Sequence, residues 1–222
     1  MTQTLHQTDQ DIQANVFEEL KYDPSCDARQ IKVTADGGTV KLSGEVTSYR
    51  HRLAAKRSAK RVRGVKAISD ELTVRGPASI GASDADMSEA AHRILDWTAD
   101  VPAKAIKVAV RDHKLILSGT VAWGYQRDAA LRAMTNLRGV AAVKDEIVVD
   151  QPESTTPAKN TIAAAMQRNA QLEPQAIHVD VNDHELTLRG MVRSFAEYRQ
   201  AERTAWNGAG VTSVHNNLVI AS

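Results

Sequence analysis

Val40-Lys41-Leu42-Ser43-Gly44 opens a frame that occurs three times in this chain. Its counterparts are Leu115-Ile116-Leu117-Ser118-Gly119 and Leu186-Thr187-Leu188-Arg189-Gly190. Twenty residues after each closing glycine comes Gly-Val: Gly64-Val65, Gly139-Val140 and Gly210-Val211. Eight residues after that second glycine stand Leu72, Ile147 and Leu218. Thirteen residues before the first glycine stand Ile31, Ile106 and Ile177. No insertion separates these landmarks in any copy, so the pattern is three copies of one small unit. The chain's 222 residues suit three units of about 60–70 residues each.

Outward from the frame, each copy reads the same way. Ile31-x-Val33-x-Ala35, Ile106-x-Val108-x-Val110 and Ile177-x-Val179-x-Val181 alternate with period two and are strands. Val40, Leu115 and Leu186 begin the return strands. Between the pairs lie Asp36-Gly37-Gly38, Arg111-Asp112-His113 and Asn182-Asp183-His184, residues that tolerate positive φ in a tight hairpin. A helix precedes each hairpin. Ile12, Val16 and Leu20 share one helical face, with Asp9 or Asp11 expected as cap and Asp23-Pro24 as stop. Ala91, Ile94 and Leu95 mark the second copy. Thr156 and Pro157 open the third, where Ile162 and Met166 point inward.

A second helix follows the first glycine, with Ser48 and Ser194 as expected caps. Its inward stripe is small: Ala55, Ser58, Ala59, Val62, then Ala130, Ala133, Met134, Leu137, then Ala201, Thr204, Ala205, Gly208. The second glycine is expected at the helix C′ position, and a last strand follows it. The fold class is therefore α+β: three tandem αββαβ units, each a three-stranded mixed sheet with two helices on one face. Unit boundaries fall at 9–75, 84–150 and 156–221. The linkers 76–83 and 151–155 are rich in Gly, Pro, Ser and Thr.

The net charge of +1 conceals an asymmetry. Residues 1–75 hold thirteen Lys/Arg against ten Asp/Glu, while 76–150 hold nine against ten and 151–222 six against seven. A single cysteine, Cys26, excludes an intrachain disulfide and a multi-thiolate zinc site. No apolar run reaches the roughly 20 residues of a membrane span. Neither a basic nor an apolar leader segment opens the sequence, so the expected compartment is the cytoplasm, or the periplasm if a signal has been removed.

The αββαβ unit resembles the BON domain, the bacterial osmotically-inducible and nodulation domain. The residues that carry the resemblance are Val40-Lys41-Leu42-Ser43-Gly44-Glu45-Val46, Gly64-Val65-Lys66-Ala67-Ile68 and Asp70-Glu71-Leu72-Thr73-Val74. Gly119-Thr120-Val121, Gly139-Val140 and Asp145-Glu146-Ile147 match in the second copy. Gly190-Met191-Val192, Gly210-Val211 and Asn216-Asn217-Leu218 match in the third. The resemblance implies a non-enzymatic module linked to envelope stress and to phospholipid surfaces. Family members are commonly exported, and this chain departs by showing no signal. The family brings no catalytic residues, and its glycines, here Gly44, Gly64, Gly119, Gly139, Gly190 and Gly210, are structural.

The most informative candidate is the second helix of copy one. Eight basic residues lie between Glu45 and Asp70 with no acid among them. The expected lipid-binding set is Tyr49, Arg50, Leu53, Lys56, Arg57, Lys60 and Arg61: an apolar pair rimmed by cations, suited to an anionic phospholipid surface. At about 1 kcal/mol per cation, with half of them facing the surface, the helix supplies about 4 kcal/mol, or roughly millimolar affinity. The competing reading packs Tyr49 and Leu53 on the first helix or a neighbouring copy and leaves the cations as a solvated face. A protein partner, met through apolar surfaces on or between the repeats, is the alternative function. Nucleic acid is disfavoured by the near-neutral chain and few aromatics.

Arg57, Arg132 and Arg203 share one repeat position, where pairing with acids of their own unit is favoured over phosphate binding. Trp97, Trp123 and Trp206 are expected in cores or between copies. Asp112-His113 and Asp183-His184 offer too few ligands for a metal and read as turn residues. Cys26 is expected to be inert. No residue set points to catalysis, a metal or a cofactor.

Overall fold

The computed structural model describes residues 8–75, 83–150 and 159–221. The linkers, except Ser83, and the expected Thr156-Pro157 helix start lie outside the described residues. Helix α1 (Asp9–Tyr22) leads to strands β1 (Ile31–Asp36) and β2 (Thr39–Val46), helix α2 (Tyr49–Arg61) and strand β3 (Ala67–Val74). The second unit repeats this as α3 (Asp84–Asp96), β4 (Ile106–Arg111), β5 (Lys114–Val121), α4 (Gly124–Met134) and β6 (Ala142–Val149). The third comprises α5 (Lys159–Gln167), β7 (Ile177–Asn182), β8 (Glu185–Val192), α6 (Phe195–Trp206) and β9 (Ser213–Ile220).

Each sheet holds three strands in sequence order, the first pair antiparallel and the second parallel. The parallel step needs a crossover, and the second helix supplies it. In copy one Val40, Leu42, Ala55 and Ala59 are completely buried, so the small-residue stripe brings the helix backbone close to the sheet. Leu115, Leu117, Leu186 and Leu188 hold the same places in the other copies. On β1, β4 and β7 the residues alternating with the buried ones are exposed, so the opposite sheet face meets solvent.

The closing glycine has a specific cause. Gly44, Gly119 and Gly190 have φ of 114°, 139° and 128°. A Cβ there would overlap the carbonyl oxygens of Gln30, Ala105 and Ala176, which enter the neighbouring strands. The Asp-Glu-Leu segment also has a structural task. Asp70 and Asp145 accept the N–H of Leu72 and Ile147, and Asn216 accepts that of Leu218.

Two local expectations change. Thr8, not Asp9 or Asp11, is the N-cap of α1. Its hydroxyl accepts the Asp11 N–H while Asp11 accepts the Thr8 N–H in return. Asp9 instead accepts the N–H groups of Gly37 and Gly38 at the hairpin tip, 2.9 and 3.0 Å away. Asp84 does the same for Asp112 and His113. Further, α2 stops at Arg61 with Val62 as C-cap. Gly64 therefore lies one residue past C′, in the turn that enters the last strand.

Candidate functional site

The basic residues of α2 have several different employments. The Arg52 Nε and Lys56 Nζ both reach Asp70, at 3.1 and 3.0 Å, and tie the helix to β3. Burial works against the Asp70 carboxylate. Lys56, the Leu72 N–H and Arg52 outweigh it and hold its pKa below the usual value. The Arg61 guanidinium bridges Glu19 and Asp23, at 2.9 and 3.0 Å, and ties the helix to α1. Ser58, buried on α2, donates to Asp23 at 2.7 Å. Lys60 is partly buried, with its ammonium 5.0 Å from the centre of the Phe195 ring. Arg50, Arg57 and Arg63 are exposed and form no ion pair with any described residue.

Tyr49 and Leu53 are partly buried. Tyr49 packs against the core of the second unit, beside the Val143 backbone, and burial raises its phenol pKa. That contact recurs around the molecule. Phe195, the repeat equivalent of Tyr49, packs against the core of the first unit. Gly124 is the third equivalent, and there the packing is inverted. Trp206 of the third unit fills the space, so that a Cβ on Gly124 would lie 3.0 Å from the indole. Trp206 also packs on the cores of both the second and third units and lies 5.4 Å from the Arg127 guanidinium. Each unit thus presents the start of its second helix to the next one: first to second, second to third, third to first. The three joints close a ring with approximate three-fold order.

The second helices meet at its centre. Glu202 of α6 feels Arg199 of its own helix, Asp128 and Arg127 of α4, and Lys60 of α2. Burial is the main influence and raises its pKa. Lys60 is pushed down, first by burial and then by Arg199 and Lys56.

Other candidates fall differently from the sequence reading. Arg57, Arg132 and Arg203 are all exposed, and none makes an ion pair with a described residue, so pairing within the unit does not explain their recurrence. Trp206 is an inter-unit contact as expected, but Trp97 is 90% exposed. Its repeat equivalent in copy one, Tyr22, is 84% exposed, and the third is exposed Arg168. A position occupied by Tyr, Trp and Arg cannot be a core position, a signal present in the repeat alignment. The hairpin-tip imidazoles are engaged locally. His184 Nδ1 lies 2.8 Å from the Gly210 carbonyl, and His113 Nδ1 lies 3.3 Å from the Met87 sulfur. Among the described residues no group of three His, Cys, Asp or Glu could hold a metal ion. The Cys26 thiol is pushed up to about 11, first by burial and then by Asp23 and Asp27, and stays protonated at neutral pH. Among the described residues no helix is long and apolar enough to cross a membrane.

The family model of the BON domain matches three times, over residues 8–76, 83–151 and 154–222. The chain belongs to the BON-domain family. The chain is 35% identical over 146 residues to the osmotically-inducible protein Y of Escherichia coli (strain K12), covering 63% of this chain and 71% of that protein. Among solved structures, CdsD of the Chlamydia trachomatis type III secretion system aligns over 94% of this chain and 91% of its own, at 16% identity and a TM-score of 0.26. The PrgH periplasmic domain aligns over 86% and 95%, at 12% identity and a TM-score of 0.23.

Proposed function

We propose that this chain is a stress-associated, non-enzymatic binding module that contacts anionic phospholipid surfaces from one side of its ring. The stress association follows its relationship to an osmotically-inducible protein. The observation that carries the lipid reading is the coincidence, at repeat-equivalent positions, of exposed aromatic rings and unpaired arginines. Tyr22 adjoins Asp23, which binds Arg61, one helical turn from Arg57. In a three-fold ring equivalent residues stand at one height along the axis, so Arg57, Arg132 and Arg203 share a side. Tyr22 and Trp97 replace Tyr49 and Leu53 as the apolar element. At about 1 kcal/mol each, three arginines give about 3 kcal/mol, too little alone. The aromatic rings and the simultaneous engagement of several units must supply the remainder.

Vesicle pelleting tests this reading. Wild-type chain is expected to sediment with phosphatidylglycerol-containing vesicles at low salt and to be released at high salt. Trp97→Ser combined with Arg57→Gln should reduce binding several-fold with the fold intact. Sedimentation that ignores both salt and these substitutions would remove the proposal.

A protein-interaction role is the second reading. Met191 and Val219 pair across β8 and β9 and are both more than half exposed, an apolar pair on the open sheet face of copy three. Tyr49, Phe195 and Trp206 already cover part of the surface between repeats. Suppression of client aggregation, lost in Met191→Glu, would favour this reading over the first.

A further inference from the structure

The three joints of the ring use the same three positions of the scaffold and fill them differently. At the joint where the third unit meets the first, those positions on the first unit are Lys56, Lys60 and Lys66. Their equivalents are Leu131, Thr135 and Ala141 in the second unit and Glu202, Trp206 and Thr212 in the third. The lysine joint opens into a cleft lined by residues of both units, about 530 Å³ in volume. The three lysines line it. Ile68 of β3, Phe195 of α6 and Val219 of β9 add an apolar lining, and no acidic residue is among the described residues that line the cleft. Lys56 is held by Asp70, whereas Lys66 is exposed and forms no ion pair with a described residue.

Such a lining has a definite chemical preference. Burial, and then Arg199 and Lys56 beside it, make the positive charge of Lys60 costly, with Glu202 offsetting part of that cost. An anion entering the cleft relieves that repulsion. A free inorganic anion leaves Ile68, Phe195 and Val219 in contact with water, whereas a short alkyl chain attached to the anion covers them. The volume lies within the range of small-ligand sites, roughly 300–1,000 Å³.

We propose that the cleft between the first and third units binds a single-chain anionic amphiphile, taken as a monomer from solution, with its headgroup on Lys60 and Lys66 and its chain over Ile68, Phe195 and Val219. The cleft lining includes none of Arg57, Arg132, Arg203, Tyr22 or Trp97, and the proposal does not depend on them.

Calorimetric titration with decyl phosphate below its micelle concentration tests the proposal, with circular dichroism followed in parallel. One ligand per chain is expected, with saturation and no loss of helical signal. The variant K60T/K66A carries the residues that the second unit has at these positions, so the scaffold already tolerates them. It should bind about tenfold more weakly or worse. Inorganic phosphate and decanol should each bind less tightly than decyl phosphate. Equal binding by wild type and K60T/K66A overturns the assignment. Equally tight binding of inorganic phosphate reduces the cleft to a simple anion site and overturns it too, as does unfolding in step with binding. Vesicle pelleting unaffected by K60T/K66A, together with lost decyl phosphate binding, would separate this cleft from the surface contact.

Discussion

The core of each unit and the joints between units are built from the same helices, yet they treat repetition in opposite ways. In the cores the copies agree: Leu42, Leu117 and Leu188 are each fully buried at one position. At the joints they differ, with Tyr49, Gly124 and Phe195 at the first helical position and Lys60, Thr135 and Trp206 eleven residues on. Nearer the centre come Lys56, Leu131 and Glu202. Identical subunits in a ring would place like against like there. Fusion into one chain lets the three positions become complementary instead: a Phe ring facing a lysine ammonium, a Trp over a glycine. Such differences reject the other cyclic order, because a misplaced unit would set Trp206 against an aromatic neighbour.

The largest expected effect tests the repeated part. Gly119→Ala drives a Cβ into the Ala105 carbonyl at a φ of 139° that alanine avoids. A loss of about 3 kcal/mol or more is expected in denaturant unfolding. Because the second unit contributes to two joints, the first and third should lose stability with it. If they unfold at their former midpoint, the ring contributes nothing to them.

Next comes the diversified part. Trp206→Ala removes a large ring from two cores at once and should cost about 3 kcal/mol. Phe195→Ala should cost about 2 kcal/mol, for one partly buried ring. A sharper test transplants one joint onto another. Gly124→Tyr alone collides with Trp206 and should cost about 1–3 kcal/mol. Combined with Trp206→Thr, it recreates the Tyr49 and Thr135 combination of the first joint. The double variant should be more stable than the sum of the single effects by about 1 kcal/mol or more. Strict additivity would mean that the two positions do not meet in solution.

The same contrast explains what was legible in the sequence. Glycines, strands and small-residue stripes are repeated, so three in-register copies revealed the unit and its helix-covered sheet. The joints are made where a residue of one copy meets a different position of another, and alignment of equivalents does not show that. Tyr49 therefore looked like part of an outward face, although its ring packs on the second unit. The eight cations of the α2 region looked alike. Asp70, Glu19, Asp23 and Phe195 sort them in three dimensions, and four of the pairings cross 18 or more residues of sequence. Trp97 was the reverse case, a large ring assumed buried and found 90% exposed. Its companions Tyr22 and Arg168 already argued for solvent.

The smallest expected effects concern two acids, one on each side of the comparison. Asp23 stitches α1 to α2 within a unit. The Ser25 and Ser58 hydroxyls act first, and the Ser25 N–H and Arg61 add to them against the cost of burial, so its pKa lies well below the usual carboxylate value. A depressed pKa means a contribution present above about pH 4, the ordinary aspartate value, and lost as pH falls through the folded-state value. Glu202 stands between units, facing Lys60, Arg127, Asp128 and Arg199, and burial raises its pKa. The sign is opposite: the folded state favours protonated Glu202, and that advantage disappears as pH rises. Asp23→Asn should therefore lower the thermal midpoint at neutral pH, and the deficit should close on acidification. Glu202→Gln should raise the midpoint at neutral pH, and the gain should shrink toward about pH 4. Thermal unfolding of both variants across that interval decides the matter. If Glu202→Gln instead lowers the neutral midpoint, the surrounding cations outweigh the burial, and the ring's centre holds by charge as the units do.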